Sequence, residues 1–463
     1  MAKNSLFGTK KYLLIAGDII ILYFSLYLTL IIRYGQDFTT NLWSQHLVPF
    51  TVVFLIWLII SYIDDIYELN FTQGKLGLLV KLLRTMAIGS GLSIVFFYLG
   101  QNRLFTIKPQ TVLAINIILA SILIYLWHLV FLGLTKSSKI ANRVIIIGFN
   151  SLAKEIIDKI DKNPHLGLQL VAILSEPNEE IPQKFQPLII NRQIGELKNI
   201  CEQKKVDIIV SITNPRGDNL LSQSLFECLP LKINFFEIAS FYEKIMGKIP
   251  VNTIEQIWLL ENLSEGNKKS YEYFKQISDI GLSIIMLLLS LPFIPLIILA
   301  IKIDSRGPIF FTQIRTGKLG KNFLAIKFRT MVQNAEVNGA QWAVKNDPRV
   351  TRLGKFLRQT RIDEIPQLIN VLRGEMSLIG PRPERPEFIE QLQQEIPFYK
   401  ERLLTKPGLT GWAQVVGPAY GGSKEESLEK LQYDLYYIKN RSLALDISII
   451  LKTIKIVLAR KGC

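Results

Sequence analysis

The 26-residue stretch RQTRIDEIPQLINVLRGEMSLIGPRP (358–383) sets the organisation predicted for this chain. Asp363 and Glu364 stand side by side just before apolar residues at helical spacing, which are Ile365, Leu368, Ile369 and Leu372. Pro366 has no N–H group and is tolerated only in the first turn of such a helix. The stretch therefore predicts two carboxylates at a helix N-terminus, where free N–H groups keep them ionised and also attract phosphate.

Arginines surround this acidic pair in the sequence. Arg358 and Arg361 precede it, Arg373 follows it, and the stiff turn GPRP (380–383) carries one more. Taken alone, the stretch fits a phosphate-binding active site and an ordinary capped core helix with solvated arginines equally well. The rest of the chain has to decide between these two interpretations.

The chain is strongly basic, and its charge is unevenly spread. Its 463 residues carry a formal net charge of +15, and 49% of them are hydrophobic. Residues 302–361 alone contain 13 Lys and Arg against 3 Asp and Glu, a net charge of +10. Such a surface attracts lipid headgroups, nucleotide phosphates or nucleic acid. The cysteines, Cys201, Cys228 and Cys463, have neither zinc-site nor disulfide spacing and indicate reduced thiols.

Residues 1–136 predict a module of four transmembrane helices. The apolar segments are Tyr12–Ile32, Leu47–Ile63, Met86–Leu99 and Thr111–Leu134. Lys and Arg alternate in number between the successive flanks, which places the N-terminus and everything after residue 134 in the cytoplasm. For Asp18, inside the first segment, we expect a local i+4-type contact, with a functional site as the alternative.

Residues 137–262 predict a Rossmann-like α/β domain. Buried strands are expected at RVIIIG (143–148), LQLVAIL (168–174), VDIIVSI (206–212) and LKINFFE (231–237), with helices between them. The first turn, 148–153, imitates G-x-G-x-x-A but has Asn150 in place of the second glycine. That glycine normally lets the backbone approach a pyrophosphate. A scaffold or regulatory role is therefore favoured over a nucleotide site.

A fifth apolar stretch, Ile280–Ile301, opens the remaining region, 263–463. Its length would allow a fifth membrane span. Ser290, Pro292 and Pro295 interrupt its middle, and a proline inside a helix removes a hydrogen bond and clashes one turn back. We therefore predict a re-entrant helix over 278–302 that enters and leaves on the cytoplasmic side, with a straight span as the alternative.

Two later features remain open on the sequence alone. Trp412, in the turn-rich segment 406–415, suits either a membrane interface or a sugar face. Residues Leu443–Leu458 predict an amphipathic helix with Lys452 and Lys455 on its polar side. This helix fits both a position on the membrane and a role in closing the core.

Five motifs together resemble one known family. They are PIFFTQIRTGKLGKNF (308–323), KFRTM (327–331), DPRVTRLGKFLR (347–358), the stretch 362–383 and KPGLTGWAQ (406–414). Over about Tyr271 to Ile456 the chain resembles the bacterial sugar transferases. These are polyprenyl-phosphate hexose-1-phosphate transferases of the monotopic phosphoglycosyl transferase superfamily. It departs from the family at Lys275-Gln276, where Lys-Arg is usual, and at VGPAYGG (416–422), where many members have Asn-Gly.

The resemblance implies a reaction and its partners. A sugar-1-phosphate passes from a UDP-sugar to undecaprenyl phosphate, UMP is released, and Mg²⁺ is required. This chain resembles the long members of the family, in which four membrane spans and a Rossmann-like domain precede the catalytic region. Those members start exopolysaccharide, O-antigen or capsule assembly on the cytoplasmic face of the bacterial inner membrane, in contact with its lipids. Glucose or galactose is the usual sugar, while an N-acetylated sugar and a homodimer stay open.

The resemblance also implies residue roles. Asp363 is the nucleophile that forms a phosphosugar intermediate, Glu364 is its partner, and the two are the expected Mg²⁺ ligands. The helix break falls at Ser290 and Pro292. An ionised oxygen nucleophile attacking a diphosphate needs surrounding positive charge. The side chains predicted to bind substrate phosphate are Arg358, Arg382, Arg329 and Arg315.

Two other classes of protein share some of these sequence features. A membrane-tethered UDP-sugar dehydratase or epimerase needs a complete glycine fingerprint and a Tyr-x-x-x-Lys pair, a spacing that Tyr271 and Lys275 share. About one such pair is expected by accident in a chain of this composition. A non-enzymatic basic anchor for lipid or nucleic acid fits the charge but not an acidic pair inside the basic region. The transferase is therefore preferred, without nucleic acid as a partner.

Overall fold

A computed structural model describes residues 8–67, 74–100, 110–136, 141–163, 166–175, 181–191, 194–263, 268–333, 335, 347–418 and 423–459. The chain divides into two compact units, Met1–Phe241 and Tyr242–Cys463. The first contains the predicted apolar helices and a parallel α/β sheet, and the second contains the acidic pair. These findings confirm the coarse fold class expected from the sequence.

The first unit begins with four long helices: α1 Gly8–Tyr34, α2 Thr40–Ile63, α3 Gly74–Gly100 and α4 Gln110–Lys136. Each contains a stretch long and apolar enough to cross a membrane. Their facing sides form one apolar core, with Trp57 and Phe50 fully buried, while many large apolar side chains on the outer sides are exposed. Apolar residues on the outside of a helix bundle are typical of lipid contact.

Asp18 differs from the sequence expectation. Its carboxylate contacts His128 on α4, with the Nε2 atom 3.1 Å from Oδ1 and 3.2 Å from Oδ2. Both residues are buried. The expected i+4 contact within α1 is therefore replaced by a contact between helices, because a buried carboxylate needs a polar partner that its own apolar helix does not offer.

The α/β part of the first unit is a five-stranded parallel sheet. Its strands are β1 Asn142–Ile147, β2 Leu168–Ser175, β3 Ile189–Asn191, β4 Ile208–Ser211 and β5 Asn234–Glu237. Its helices are α5 Ser151–Lys162, α6 Leu197–Lys204 and α7 Asn219–Glu227, and the next helix, α8 Ile238–Met246, contains the boundary between the two units. The strand order, β3-β2-β1-β4-β5, is the start of the dinucleotide-binding order. The near-continuous apolar strands of this region form such a sheet because parallel strands are covered on both faces.

The second unit is mixed α and β. Its elements are α9 Gln256–Asn262, α10 Lys269–Ser290, α11 Ile294–Asp304, β6 Phe310–Thr316, β7 Asn322–Phe328, α12 Arg352–Thr360, α13 Leu368–Leu372, β8 Ser377–Ile379, α14 Pro386–Glu395, β9 Gly408–Thr410, α15 Trp412–Val416, α16 Lys424–Asn440 and α17 Leu443–Leu458. Strands β6 and β7 form an antiparallel hairpin, and β8 pairs with β9 in parallel.

The core of the second unit also takes in residues 249–263. Ile249, Val251 and Leu259 are buried with Leu435 of α16 and other core residues. The domain boundary predicted from the sequence lies after residue 262, on the C-terminal side of these three residues. The amphipathic pattern of a short segment shows that it is buried but does not show against which domain it packs.

The interruption predicted in the fifth apolar stretch is present. Helix α10 ends at Ser290, whose hydroxyl donates to the Leu287 carbonyl oxygen at 2.8 Å, and the turn 291–293 contains Pro292. Helix α11 then begins at Ile294. Helix α10 packs against α13 and α11 packs against α12, so both sides of the break lie against the same unit.

Trp412 and α17 both pack within the second unit. The Trp412 indole N–H donates to the Gly247 carbonyl oxygen at 2.8 Å, and its ring stacks on Tyr436. A ring held in this way ties residue 247 to the core, which differs from the membrane or sugar contact considered above. On α17, Ile449 is fully buried whereas Leu458 stays exposed. This helix closes the core with one face only.

Candidate active site

The acidic pair lies where the backbone changes direction. Helix α12 ends at Thr360, and its C-cap residue, Arg361, adopts a left-handed conformation with φ of 55°. A 3-10 turn, Ile362–Gln367, follows and leads into α13. Asp363 and Glu364 occupy the first turn of this segment, and Pro366 lies within it. The predicted helix N-terminus is therefore a tighter 3-10 turn that presents both carboxylates from one short, firmly anchored segment.

Glu364 is surrounded by cations. Its Oε1 accepts hydrogen bonds from Arg382 Nη2 at 2.8 Å and from Lys327 Nζ at 3.1 Å, and its Oε2 lies 3.6 Å from Arg361 Nη1. Burial opposes ionisation of Glu364, but Arg382, Lys327 and Arg361 outweigh it and hold its pKa well below the usual range. Glu364 is therefore a permanently ionised centre that gathers three positive side chains.

Asp363 is the opposite case. It is also buried, with an exposed fraction of 7%, yet within the described residues its carboxylate makes no hydrogen bond or ion pair. Burial and then the neighbouring charge of Glu364 raise the pKa of Asp363 to about 6, against the opposing effect of Lys327 and Arg358. The sequence predicted that the helix end would favour ionisation, but burial outweighs it. Asp363 still loses its proton just below neutral pH.

Two of the four predicted phosphate-binding arginines, Arg358 and Arg382, act on the acidic pair. Arg382 is an ion-pair partner of Glu364. Arg358 donates from Nε to the Thr330 hydroxyl at 2.9 Å, and its charge acts on Asp363. Burial lowers the pKa of Arg358, and Asp363 opposes this shift. These two arginines could receive phosphate oxygens beside Asp363.

Arg329 and Arg315 are held elsewhere. Arg329 Nη2 donates to the backbone oxygen and hydroxyl of Ser305, at 2.6 and 2.9 Å, just after α11. Its Nε and Nη1 atoms are buried and have no partner among the described residues. Arg315 Nη1 donates to the Pro383 carbonyl oxygen at 3.0 Å. The structure therefore does not bring these two guanidinium groups into contact with the acidic pair.

Lys327 and Arg361 were not among the predicted site residues. Lys327 lies on β7 on the same side as the buried Phe323 and Ala325, and burial lowers its pKa against the pull of Glu364. A lysine in phase with buried residues on a strand is the signal that could have identified it. For Arg361 the signal was weaker, because its contact with Glu364 depends on the left-handed backbone at that position.

The acidic pair is the predicted magnesium site. Among the described residues no group of three or more His, Cys, Asp or Glu could hold a metal ion. Mg²⁺ commonly takes only one or two carboxylates and completes its shell with water and substrate phosphates. Asp363, whose oxygens have no protein partner in the described part of the chain, fits this pattern. Glu364 fits only by sharing oxygens that already face Arg382, Lys327 and Arg361.

The glycine-like turn of the α/β sheet was the second candidate site. Gly148 has φ of +88°, as a tight turn requires. Asn150 caps α5, because its Oδ1 accepts the Ala153 N–H at 2.9 Å. A bound pyrophosphate would use the same N–H groups. The side chain in place of the second glycine therefore occupies a position that a phosphate would need.

Comparison with known proteins gives consistent matches. Residues 270–460 match a family model described as bacterial sugar transferase. An Aeromonas hydrophila protein named UDP-N-acetylgalactosamine-undecaprenyl-phosphate N-acetylgalactosaminephosphotransferase is 40% identical over 254 residues, which cover 54% of this chain and 59% of that protein. The chain thus spans less than two thirds of this relative.

Two further relatives carry other sugars in their names. A Xanthomonas campestris pv. campestris protein named UDP-glucose:undecaprenyl-phosphate glucose-1-phosphate transferase is 33% identical over 336 residues, 69% of this chain and 67% of that protein. A Salmonella typhimurium protein named undecaprenyl-phosphate galactose phosphotransferase is 36% identical over 222 residues, 45% of each chain. The three names share the lipid acceptor and differ in the sugar.

Proposed function

We propose, from the premise that this chain belongs to the bacterial sugar transferase family, that it moves a sugar-1-phosphate from a UDP-sugar to undecaprenyl phosphate and releases UMP. The names of its relatives support both substrates. The donor is a UDP-hexose or a UDP-N-acetylhexosamine. Loading the first sugar on a lipid carrier would start assembly of an exopolysaccharide, O-antigen or capsule.

The contrast between the two carboxylates carries the mechanism. Asp363 has no hydrogen bond or ion pair with any described residue, whereas Glu364 is fixed by three cations. A carboxylate that is buried, unpaired and surrounded by positive charge is suited to attack phosphorus. Glu364 cannot take this part, because its oxygens are already engaged. Its role is to hold Lys327, Arg382 and Arg361 beside the attacking oxygen.

Two transfers at one phosphorus account for the products. In the first, an Asp363 oxygen forms a bond to the sugar-bearing phosphorus, and the bond from that phosphorus to the bridging oxygen breaks. UMP leaves with the bridging oxygen and its electron pair. In the second, an oxygen of undecaprenyl phosphate bonds to the same phosphorus, and Asp363 leaves as a carboxylate. The product is an undecaprenyl diphosphate sugar.

Positive side chains supply the fixed electrostatic frame. Arg358 and Arg382 would receive phosphate oxygens, and such preorganised charge would stabilise a transition state in which negative charge spreads over phosphoryl oxygens. Asp363, with a pKa of about 6, is mostly ionised at neutral pH and needs no general base. Asp363 and substrate phosphate oxygens would hold Mg²⁺, whose positive charge would offset the negative charge of the diphosphate.

A re-entrant path of α10 and α11 completes the proposal. Both helices pack against the unit that carries Asp363, and their outer faces expose large apolar residues such as Leu289 and Leu296. Entry and exit on the cytoplasmic side of the inner membrane would keep the site with cytoplasmic UDP-sugars. Single cysteines at the exposed positions Lys269 and Arg306 test this in intact cells. Both should resist an impermeant external thiol reagent, whereas labelling of position 306 alone would indicate a true span.

UMP release from a panel of UDP-sugars, with and without undecaprenyl phosphate, tests the reaction. With Mg²⁺ and both substrates, one sugar should give sustained release. Without the lipid, the enzyme should release about one UMP per active site and carry a phosphosugar on Asp363. Release that requires the acceptor, with no adduct after rapid quenching, would instead indicate direct transfer. No release from any UDP-sugar would reject the function.

A further inference from the structure

Arg402 is a buried arginine beneath the GPRP turn. It lies in the 3-10 helix Tyr399–Leu404 with an exposed fraction of 4%. Its Nη2 donates to the Arg382 carbonyl oxygen at 3.0 Å and to Asp434 Oδ2 at 2.8 Å, and its Nη1 donates to the Tyr399 hydroxyl at 2.8 Å. One guanidinium group therefore joins α16, the 3-10 helix and the backbone of Arg382.

Arg315 holds the next carbonyl of the same turn. Its Nη1 donates to the Pro383 oxygen at 3.0 Å. Glu384 lies between the two arginines, with its Oε2 at 3.8 Å from Arg315 Nη1 and its Oε1 at 3.9 Å from Arg402 Nη1. Two successive carbonyl oxygens are thus bound by two arginines that share one carboxylate. We call Arg315, Arg402 and Glu384 the arginine clamp.

The cavity beside Arg402 and Glu384 is too small for a substrate. A cavity lined by Arg382, Arg402, Thr316 and Thr405 has a volume of about 10 Å³, which is room for about one water molecule. Arg402 is also almost fully buried and saturated by Asp434 and Tyr399. Neither feature suits an arginine that binds a diphosphate directly.

We propose that the arginine clamp positions Arg382, and that Arg315 and Arg402 act on the reaction through Arg382 without contacting the substrate. The inference rests on the function proposed above and assigns Arg315 a role other than phosphate binding. The Arg382 side chain reaches Glu364 from a backbone that carries no regular secondary structure. Backbone hydrogen bonds hold the turn at Gly380, Pro381 and Glu384, and the contacts from Arg402 and Arg315 fix the two carbonyls between them. A misplacement of about 1 Å near a reacting group can cost about 100-fold in rate.

The test uses Arg402→Lys and Arg315→Lys in the full chain, because lysine keeps the charge but not the forked geometry. Each should lower kcat by about 10- to 100-fold, with the KM for the UDP-sugar changed by less than about threefold. Arg373→Lys, an exposed arginine at the end of α13, is the matched control and should leave both constants unchanged. A large rise in KM with kcat unchanged would mean that the arginine binds substrate itself.

A double-mutant cycle separates positioning from independent action. In an Arg382→Lys background, Arg402→Lys should cause little further loss, since both changes then act on the same side chain. Losses that multiply in full would overturn the proposal. If Arg402→Lys does not fold, Arg315→Lys and Glu384→Gln make the same test from the other side of the clamp.

A second cycle needs no activity. Thermal denaturation midpoints in detergent are measured for Arg402→Lys, Glu364→Gln and the double variant. We expect their effects to be coupled, because the contact between Arg382 and Glu364 depends on the clamp. Changes in midpoint that are fully additive would reject the proposed role of the clamp even if the enzyme is active. Wild-type protein that releases no UMP while the midpoints are coupled would reject the proposed function alone.

Discussion

Two turns in this protein each precede a helical segment, and both resemble phosphate-binding sites in sequence. Their side-chain contacts, however, differ. The turn 148–153 has no charged side chain, and Asn150 itself caps the helix that follows. In the turn 361–367, the side chains of Arg361, Lys327 and Arg382 converge on Glu364, and the adjacent Asp363 is left without a partner among the described residues. The comparison teaches that a helix start alone does not make a site.

The difference has a physical cause. Free N–H groups at a helix start favour any nearby anion by a modest amount, and a capping amide satisfies them as well as a phosphate does. Partly buried cations are costlier to satisfy than free N–H groups, because each needs a negative partner. In the second turn Glu364 supplies that partner permanently. The site can then keep a further carboxylate close to positive charge, yet unpaired.

Replacing Asp363 should have the largest effect. Asp363→Asn removes the proposed nucleophile, and we expect a loss of at least about 1,000-fold in UMP release. The fold should persist, because asparagine has nearly the same shape. Asp363→Glu should fail almost as badly, since one extra methylene displaces the attacking oxygen by about an ångström. Substantial activity in Asp363→Asn would show that the unpaired carboxylate is not the nucleophile.

Glu364→Gln should have the next largest effect. The amide cannot balance Arg382, Lys327 and Arg361, so the positive frame should rearrange, with an expected loss of about 100-fold in kcat. The thermal midpoint should also fall, because three partly buried cations lose their partner. Glu387→Gln, on the exposed side of α14, is the control. Unchanged kcat with a lowered midpoint would make Glu364 a purely structural residue.

The pH profile should reflect Asp363. Its pKa is raised to about 6, and in the proposed mechanism only the ionised form attacks phosphorus. The rate should therefore be nearly constant above this value and fall about tenfold per pH unit below it. Initial rates of UMP release across this range measure the effect, and return of activity at neutral pH controls for denaturation. A rate that stays constant well below pH 6 would contradict an acidic group of this pKa.

Sequence reasoning located elements better than contacts. The four apolar helices, the parallel sheet and the interrupted fifth stretch all follow from periodicity and prolines, which act locally. The positions of Arg315 and Arg329 did not follow, because a guanidinium on a strand or loop reaches whichever carbonyl the tertiary fold brings near it. Lys327 was missed for the same reason, since its partner Glu364 lies 37 residues away in the chain.

The unit boundary gives another way to sharpen the comparison. Because Ile249, Val251 and Leu259 pack in the core of the second unit, a shortened protein starting at Tyr242 should keep most of the transferase activity. A protein starting at Asn267 would lose these side chains and should unfold or precipitate. Activity in lipid and thermal midpoints compare the two. Loss of activity in a folded, membrane-bound protein starting at Tyr242 would show that the α/β sheet takes part in the reaction.

Asn150→Gly should have the smallest effect and bears most directly on the first turn. It completes the glycine fingerprint and removes the hydrogen bond from the Ala153 N–H to Asn150 Oδ1. Glycine is a tolerable N-cap, so the free energy of unfolding should fall by only about 0.3 kcal/mol, whereas Asn150→Ala should lower it by about 1 kcal/mol. Neither change should alter UMP release, because this turn is not part of the proposed reaction.

Calorimetric titration of Asn150→Gly with NAD and UDP measures whether completing the fingerprint creates a nucleotide site. We expect no binding, since the turn supplies no charged side chain to hold a diphosphate; tight binding would show that the asparagine side chain alone had closed the site.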